Sequence, residues 1–148
     1  MIQQEPAASY LFTGRNGSGK THFCWALCRA ALIRGNRVRG LLLSELISQY
    51  RDWEVDDKAP MPSVLPEHLK SSAKYTLFLD EFEKVNTTEF ASRKLFELMN
   101  AARDFEHQVL IASNKEWSRV RDIWSKTDPV YGDSIMKRVE QCRLVEMF

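Results

Sequence analysis

An α/β fold, a parallel sheet covered by helices on both faces, is predicted by three features of this 148-residue chain. Short apolar runs alternate with longer amphipathic runs along its length, the pattern of repeated strand–helix units. "YTLFLD" (75–80) is apolar on both faces of a strand, as in a buried parallel sheet. The glycine-rich stretch "TGRNGSGKTHF" (13–23) falls between the first strand and the first helix.

The elements follow in order. Tyr10–Thr13 is the first strand, and a helix runs from Lys20 or Thr21 to Arg34, ended by Gly35-Asn36. Val38–Leu43 is the second strand, and Ser44 is expected to cap a helix reaching about Trp53. "EVDDKAPMPSVLPEHL" carries three prolines and reads as a loop with one short helix. After the third strand, Thr87 or Thr88 caps a helix to about Phe105, with Leu95, Leu98, Met99 and Ala102 on one face. Val109–Ala112 is the fourth strand. Glu116–Lys126 is a helix with Trp117, Val120 and Trp124 along one side, Ser134–Gln141 a short helix, and Arg143–Phe148 the closing strand. A single domain over residues 1–148 is expected.

Charge is nearly balanced, 21 basic against 20 acidic residues, so no global basic field points to nucleic acid. The local run Arg29, Arg34, Arg37 and Arg39 reads as a solvated helix end and strand edge. "MIQQEPAASY" resembles neither a signal nor a transit peptide, and a cytoplasmic protein is expected. Cys24, Cys28 and Cys142 lack zinc-ligand spacing and read as small core residues. The imidazoles of His22, His68 and His107 are isolated and are assigned no chemistry.

Gly14-x-x-x-x-Gly19-Lys20-Thr21 is the phosphate-loop signature. Its turn points backbone N–H groups at a phosphate, Lys20 reaches the terminal phosphates, and the Thr21 hydroxyl can bind Mg²⁺. Gly14, Arg15, Asn16, Gly17, Ser18, Gly19, Lys20, Thr21 and His22 are therefore the candidate nucleotide-binding residues. In "TLFLDEFEK", Asp80 and Glu81 follow an apolar strand and fall at the carboxyl edge, where α/β sheets bind ligands. One carboxylate there can hold Mg²⁺ and the other can orient an attacking water. The stretch lacks the Asp-x-x-Gly of GTPases, and "SNKEW" has Trp117 where guanine recognition needs Asp. No "LSGGQ"-like segment of transporter motors is present. A small-molecule kinase would want an arginine-rich lid, and no arginine lies between Asp52 and Lys74. "VLIASN" ends the fourth strand at Asn114; if that strand lies between the first and third, its amide faces the terminal phosphate.

The order of phosphate loop, "FLDEF", "ASN" and a short arginine-bearing helix resembles AAA+ ATPase cores. The likeness extends to helicase loaders of the DnaC type and the related IstB-type transposition helpers. "LFELMNAARDFEHQVLIASNKEW" is similar to the stretch where those loaders place a helix with Asn and Arg before a Ser-Asn strand end. "YGDSIMKRVEQC" resembles their arginine box. The likeness spans Tyr10 to Phe148. It implies ATP and Mg²⁺ as cofactors, with Lys20 and Thr21 on the phosphates and metal and Asp80 on the metal. Glu81 would activate water, Asn114 would sense the phosphate, and Arg138 would be an arginine finger for a neighbouring subunit. It further implies slow hydrolysis, ATP-driven self-assembly, and a replicative helicase or a transposase as partner. Weak binding of single-stranded DNA is also implied. Lys115, Arg119, Arg121 and Lys126 form either a basic stripe for that DNA or a solvated face opposite Trp117 and Trp124. The sequence given stops after the closing strand, so the helical lid of AAA+ proteins is not expected within it. A nucleotide-dependent binding module with little hydrolysis stays open as an alternative.

Overall fold

The computed structural model describes residues 7–147. The N-terminal stretch 1–6 and Phe148, part of the expected closing strand, lie outside the described residues. Strands β1 (Tyr10–Thr13), β2 (Arg37–Leu42), β3 (Tyr75–Asp80), β4 (Gln108–Ser113) and β5 (Arg143–Glu146) form one sheet. Their spatial order is β2-β3-β4-β1-β5, every neighbouring pair is parallel, and β4 lies between β1 and β3. Helices α1 (Lys20–Ile33), α2 (Leu43–Val55), α3 (Pro66–Leu69), α4 (Glu89–Asp104), α5 (Trp117–Thr127) and α6 (Tyr131–Glu140) cover it.

Strand alternation divides the core in two. Phe12, Phe78, Leu110 and Ala112 pack on one face with Cys24 and Cys28 of α1. Leu11, Leu77, Leu79, Val109 and Ile111 pack on the other, against apolar residues of α2, α4, α5 and α6. Val120 and Trp124 of α5 are buried in that larger layer, as their spacing predicts. Burial pushes the Cys24 thiol up to about 12 and raises Cys28 as well, which suits core residues without redox chemistry. Helix α1 closes as expected, with Gly35 N–H donating to Leu32 O and Asn36 N–H to Ala31 O, each at 3.0 Å. Thr88 caps α4, its hydroxyl accepting from Ala91 N–H at 3.1 Å.

Two helix starts differ from expectation. Ser44 does not cap α2; the chain turns directly out of β2, Leu42 holds the extended cap position, and Ser44 is already inside the first turn. The buried side chains of Leu43, Leu46 and Ile47 fix that start, overriding capping preference. Helix α6 begins at Tyr131, not Ser134, because Asp128 Oδ1 accepts from the N–H groups of Val130 (3.1 Å) and Tyr131 (3.0 Å).

His107, buried just before β4, ties three elements together. Its Nδ1 accepts from Tyr75 N–H at 3.1 Å, so the ring proton sits on Nε2 and donates to Leu69 O at 2.6 Å. Burial holds its pKa below the ordinary histidine value, against the opposing pull of the Leu69 hydrogen bond. The unfolded chain therefore takes up the proton more readily. The stabilisation is complete above the unfolded pKa and is lost as pH falls through and below it. His107→Gln is expected to cost about 1–2 kcal/mol at pH 7.5 and to flatten the fall in stability between pH 7.5 and 5.5. Denaturant melts at the two pH values check this; an unchanged slope contradicts it.

Candidate functional site

The loop between β1 and α1 is held at its start by backbone. Gly14 N–H donates to Ser113 O at 3.1 Å. A Cβ at Gly14 would come within 2.5 Å of the Met147 carbonyl oxygen, so no larger residue fits between the ends of β4 and β5. Gly19 then enters α1 with φ +90°, in the left-handed region that favours glycine. No side chain caps α1, which leaves its first-turn N–H groups available to an anion.

Those groups border a cavity of about 200 Å³ lined by Asn16, Gly17, Gly19, Lys20, Thr21, His22, Asp80, Glu81 and Asn114. Lys20 is only 4% exposed, and its Nζ donates to Arg15 O at 3.2 Å. A buried ammonium with a neutral acceptor is costly unless an anion arrives to pair with it. Thr21 Oγ1 donates to Asp80 Oδ2 at 3.4 Å, and Asp80 Oδ1 accepts from Glu81 N–H at 2.8 Å. Asp80 is held above the usual carboxylate range, first by burial and further by the Glu81 charge; the Glu81 amide, Lys20 and Thr21 oppose this. Glu81 adopts φ +52°, a left-handed conformation unusual for a side-chain-bearing residue and a form of strain often found at functional sites. Ser18 Oγ is buried in the loop without a hydrogen-bond partner.

This donor set fits a nucleotide with Mg²⁺. Uncapped amides, a buried lysine and an orphaned hydroxyl suit phosphate oxygens. The Thr21–Asp80 oxygen pair suits a metal that takes its remaining ligands from phosphate and water. No cluster of three or more His, Cys, Asp or Glu able to hold a metal alone occurs among the described residues.

The expected residues are thus largely brought together, with three distinctions. Arg15 and Ser18 line an adjacent groove with Asn16, Gly17 and Met147. Gly14 lines neither of these cavities. Arg138 is elsewhere: it lines a second cavity with Ser9, His107 and Val109, residues where β1 and β4 begin, and its Nε donates to Asn100 Oδ1 at 2.9 Å. The basic stripe is interrupted, since Arg121 pairs with Glu140 at 3.1 Å. Sequence reasoning missed Lys84, whose Nζ meets Glu81 Oε1 at 2.9 Å; the Glu-x-x-Lys spacing was its only signal. It also missed Glu83, whose carboxylate oxygens are buried without a partner, because an acidic run after a strand reads as a solvated turn.

Asp80→Asn tests the electrostatics. The folded pKa is raised, so ionising Asp80 costs stability; this cost grows as pH rises from the unfolded pKa to the folded one and is complete above it. The free domain at pH 7 should gain up to about 3 °C in Tm on substitution, with the gain vanishing below the usual carboxylate range. The substitution should also abolish any Mg²⁺-dependent tightening of ATP binding. A lower Tm at pH 7 contradicts this account.

Comparison with known proteins agrees with this geometry. Residues 4–147 match the family described as IstB-like ATP binding protein. An insertion-sequence ATP-binding protein of Geobacillus stearothermophilus is 27% identical over 137 residues, covering 91% of this chain and 49% of that protein. The chain thus spans about half the length of this curated relative. A DnaC helicase loader structure superposes with TM-score 0.70 at 20% identity, over 99% of this chain and 82% of the loader. AMPPCP-bound DnaA from Aquifex aeolicus superposes with TM-score 0.68 at 23% identity, over 95% of this chain and 40% of that one. The fold is that of the P-loop AAA+ NTPases, and the chain belongs to the IstB-like ATP-binding protein family.

Proposed function

We propose that this chain hydrolyses ATP slowly, and only when assembled, as a switch that loads or recruits a DNA-processing machine. The observation that carries the reading is the convergence of Lys20, Thr21, Asp80, Glu81 and Asn114 on one cavity while Arg138 lies away from it. Lys20 and the loop amides bind the phosphates, and Thr21 with Asp80 holds Mg²⁺, which supplies charge neutralisation when bound. Glu81 takes a proton from the attacking water, and Asn114 orients that water against the terminal phosphate.

Arg138 acts on a neighbouring subunit's nucleotide. Its place beside the start of β4, with Asn114 just past the end, separates it from its own cavity by a strand of six residues, roughly 20 Å. The family match and the insertion-sequence relative favour a transposase as partner; the DnaC likeness favours a replicative helicase. Single-stranded DNA is bound weakly and more tightly in the ATP-assembled state. No helix among the described residues is long and apolar enough to cross a membrane. A binding module with little hydrolysis is the second reading, favoured by one contact: the Lys84 ammonium engages the carboxylate of the proposed base.

ATP turnover measured against protein concentration tests the proposal. It should rise faster than linearly. Glu81→Gln should lower it about 10²-fold or more and Arg138→Ala about 10³-fold or more, both with ATP binding retained. Turnover that is linear in protein and indifferent to Arg138 contradicts it.

A further inference from the structure

We propose that Asn100 is a positioning residue that aims the Arg138 guanidinium outward as a preformed fork for an anionic group held by a second copy of this chain. The inference rests on the reading of Arg138 as a group acting in trans.

Asn100 lies in α4, among buried apolar neighbours Leu98, Met99, Ala101 and Ala102. Asparagine is a poor helix former, and an apolar residue would serve plain α4–α6 packing better. At this position, however, α4 faces Arg138 of α6, and the Asn100 amide oxygen accepts the Nε–H at 2.9 Å. Fixing Nε fixes the plane of the guanidinium, because the group is rigid. Its two terminal nitrogens make no hydrogen bond or ion pair among the described residues. The side chain borders a cavity of about 250 Å³ that also contains Arg103. A half-buried arginine tied at Nε alone keeps the bidentate edge that suits phosphate oxygens. Asn100 supplies orientation without charge. A carboxylate there would neutralise the cation, whereas an amide oxygen leaves its full charge for the incoming anion. Arg103, by contrast, spends its charge on Asp104 at 3.2 Å.

The test uses Asn100→Leu, which removes the acceptor, Asn100→Gln, which keeps an uncharged amide acceptor, and Arg138→Ala as reference. Steady-state ATP turnover, ATP affinity, sedimentation and Tm are measured for each. Asn100→Leu should lower kcat about tenfold or more, with ATP affinity and assembly unchanged, since a small misplacement of a reacting group costs rate and not binding. Asn100→Gln should keep most of the kcat that Asn100→Leu loses, because its uncharged amide oxygen can still accept from Nε–H. Adding Asn100→Leu to Arg138→Ala should cost nothing further, because both act through one group. Normal kcat in Asn100→Leu, with Arg138→Ala inactive, overturns the positioning role and leaves the trans reading standing. A loss of kcat that merely follows a fall in Tm and in ATP affinity makes the pair a packing clamp, and also overturns it. Full activity in Arg138→Ala removes the trans reading itself.

Discussion

The parallel pairing of β1 with β4 is the constraint on which the site depends. Thr13 stands opposite Ser113, and the next N–H, of Gly14, donates back to Ser113 O. This one register places the start of the glycine-rich loop beside Asn114. It also keeps Phe12 and Ala112 on the α1 face, with Leu11 and Ile111 on the other. A slip of one residue would reverse both faces and carry Asn114 away from the loop, so core packing and site geometry are specified together. Pairing of β3 with β4 then brings Asp80 and Glu81 to the same edge.

On the proposed reading, charge explains why the site depends on more than its own chain. Two carboxylates and one lysine border the cavity, and burial already works against ionised Asp80. A nucleotide adds further negative charge, which the uncapped end of α1 and Lys20 offset only in part. On the proposed reading, Mg²⁺ relieves the Asp80 side, and a guanidinium from another subunit relieves the terminal phosphate. The chain's own Arg138 lies where β1 and β4 begin, so this relief requires assembly. On that same reading, hydrolysis is tied to oligomer formation through geometry.

What could be read from the sequence was local. β1 and β3 occupy the expected residues, Thr88 and Gly35-Asn36 end their helices as anticipated, and the loop and Asp80-Glu81 share one cavity. Each rests on a pattern within a few residues. The placement of Asn114 needed one inference about strand order, and that order is observed. The rest was set by distant neighbours. Leu43 burial displaced the Ser44 cap, and the Asp128 turn lengthened α6. The Asn100–Arg138 contact joins residues 38 apart in sequence, and Glu140 takes up part of the basic stripe. No spacing rule within one element encodes such meetings.

If the site is completed between two copies of the chain, mixing two inactive variants should restore turnover. Glu81→Gln retains Arg138 but lacks the base; Arg138→Ala retains the base but lacks the cation. Neither should turn over ATP alone, and their mixture should, with most activity near equal amounts. A mixture no more active than the sum of its parts, with both variants folded and binding ATP, would contradict completion between copies.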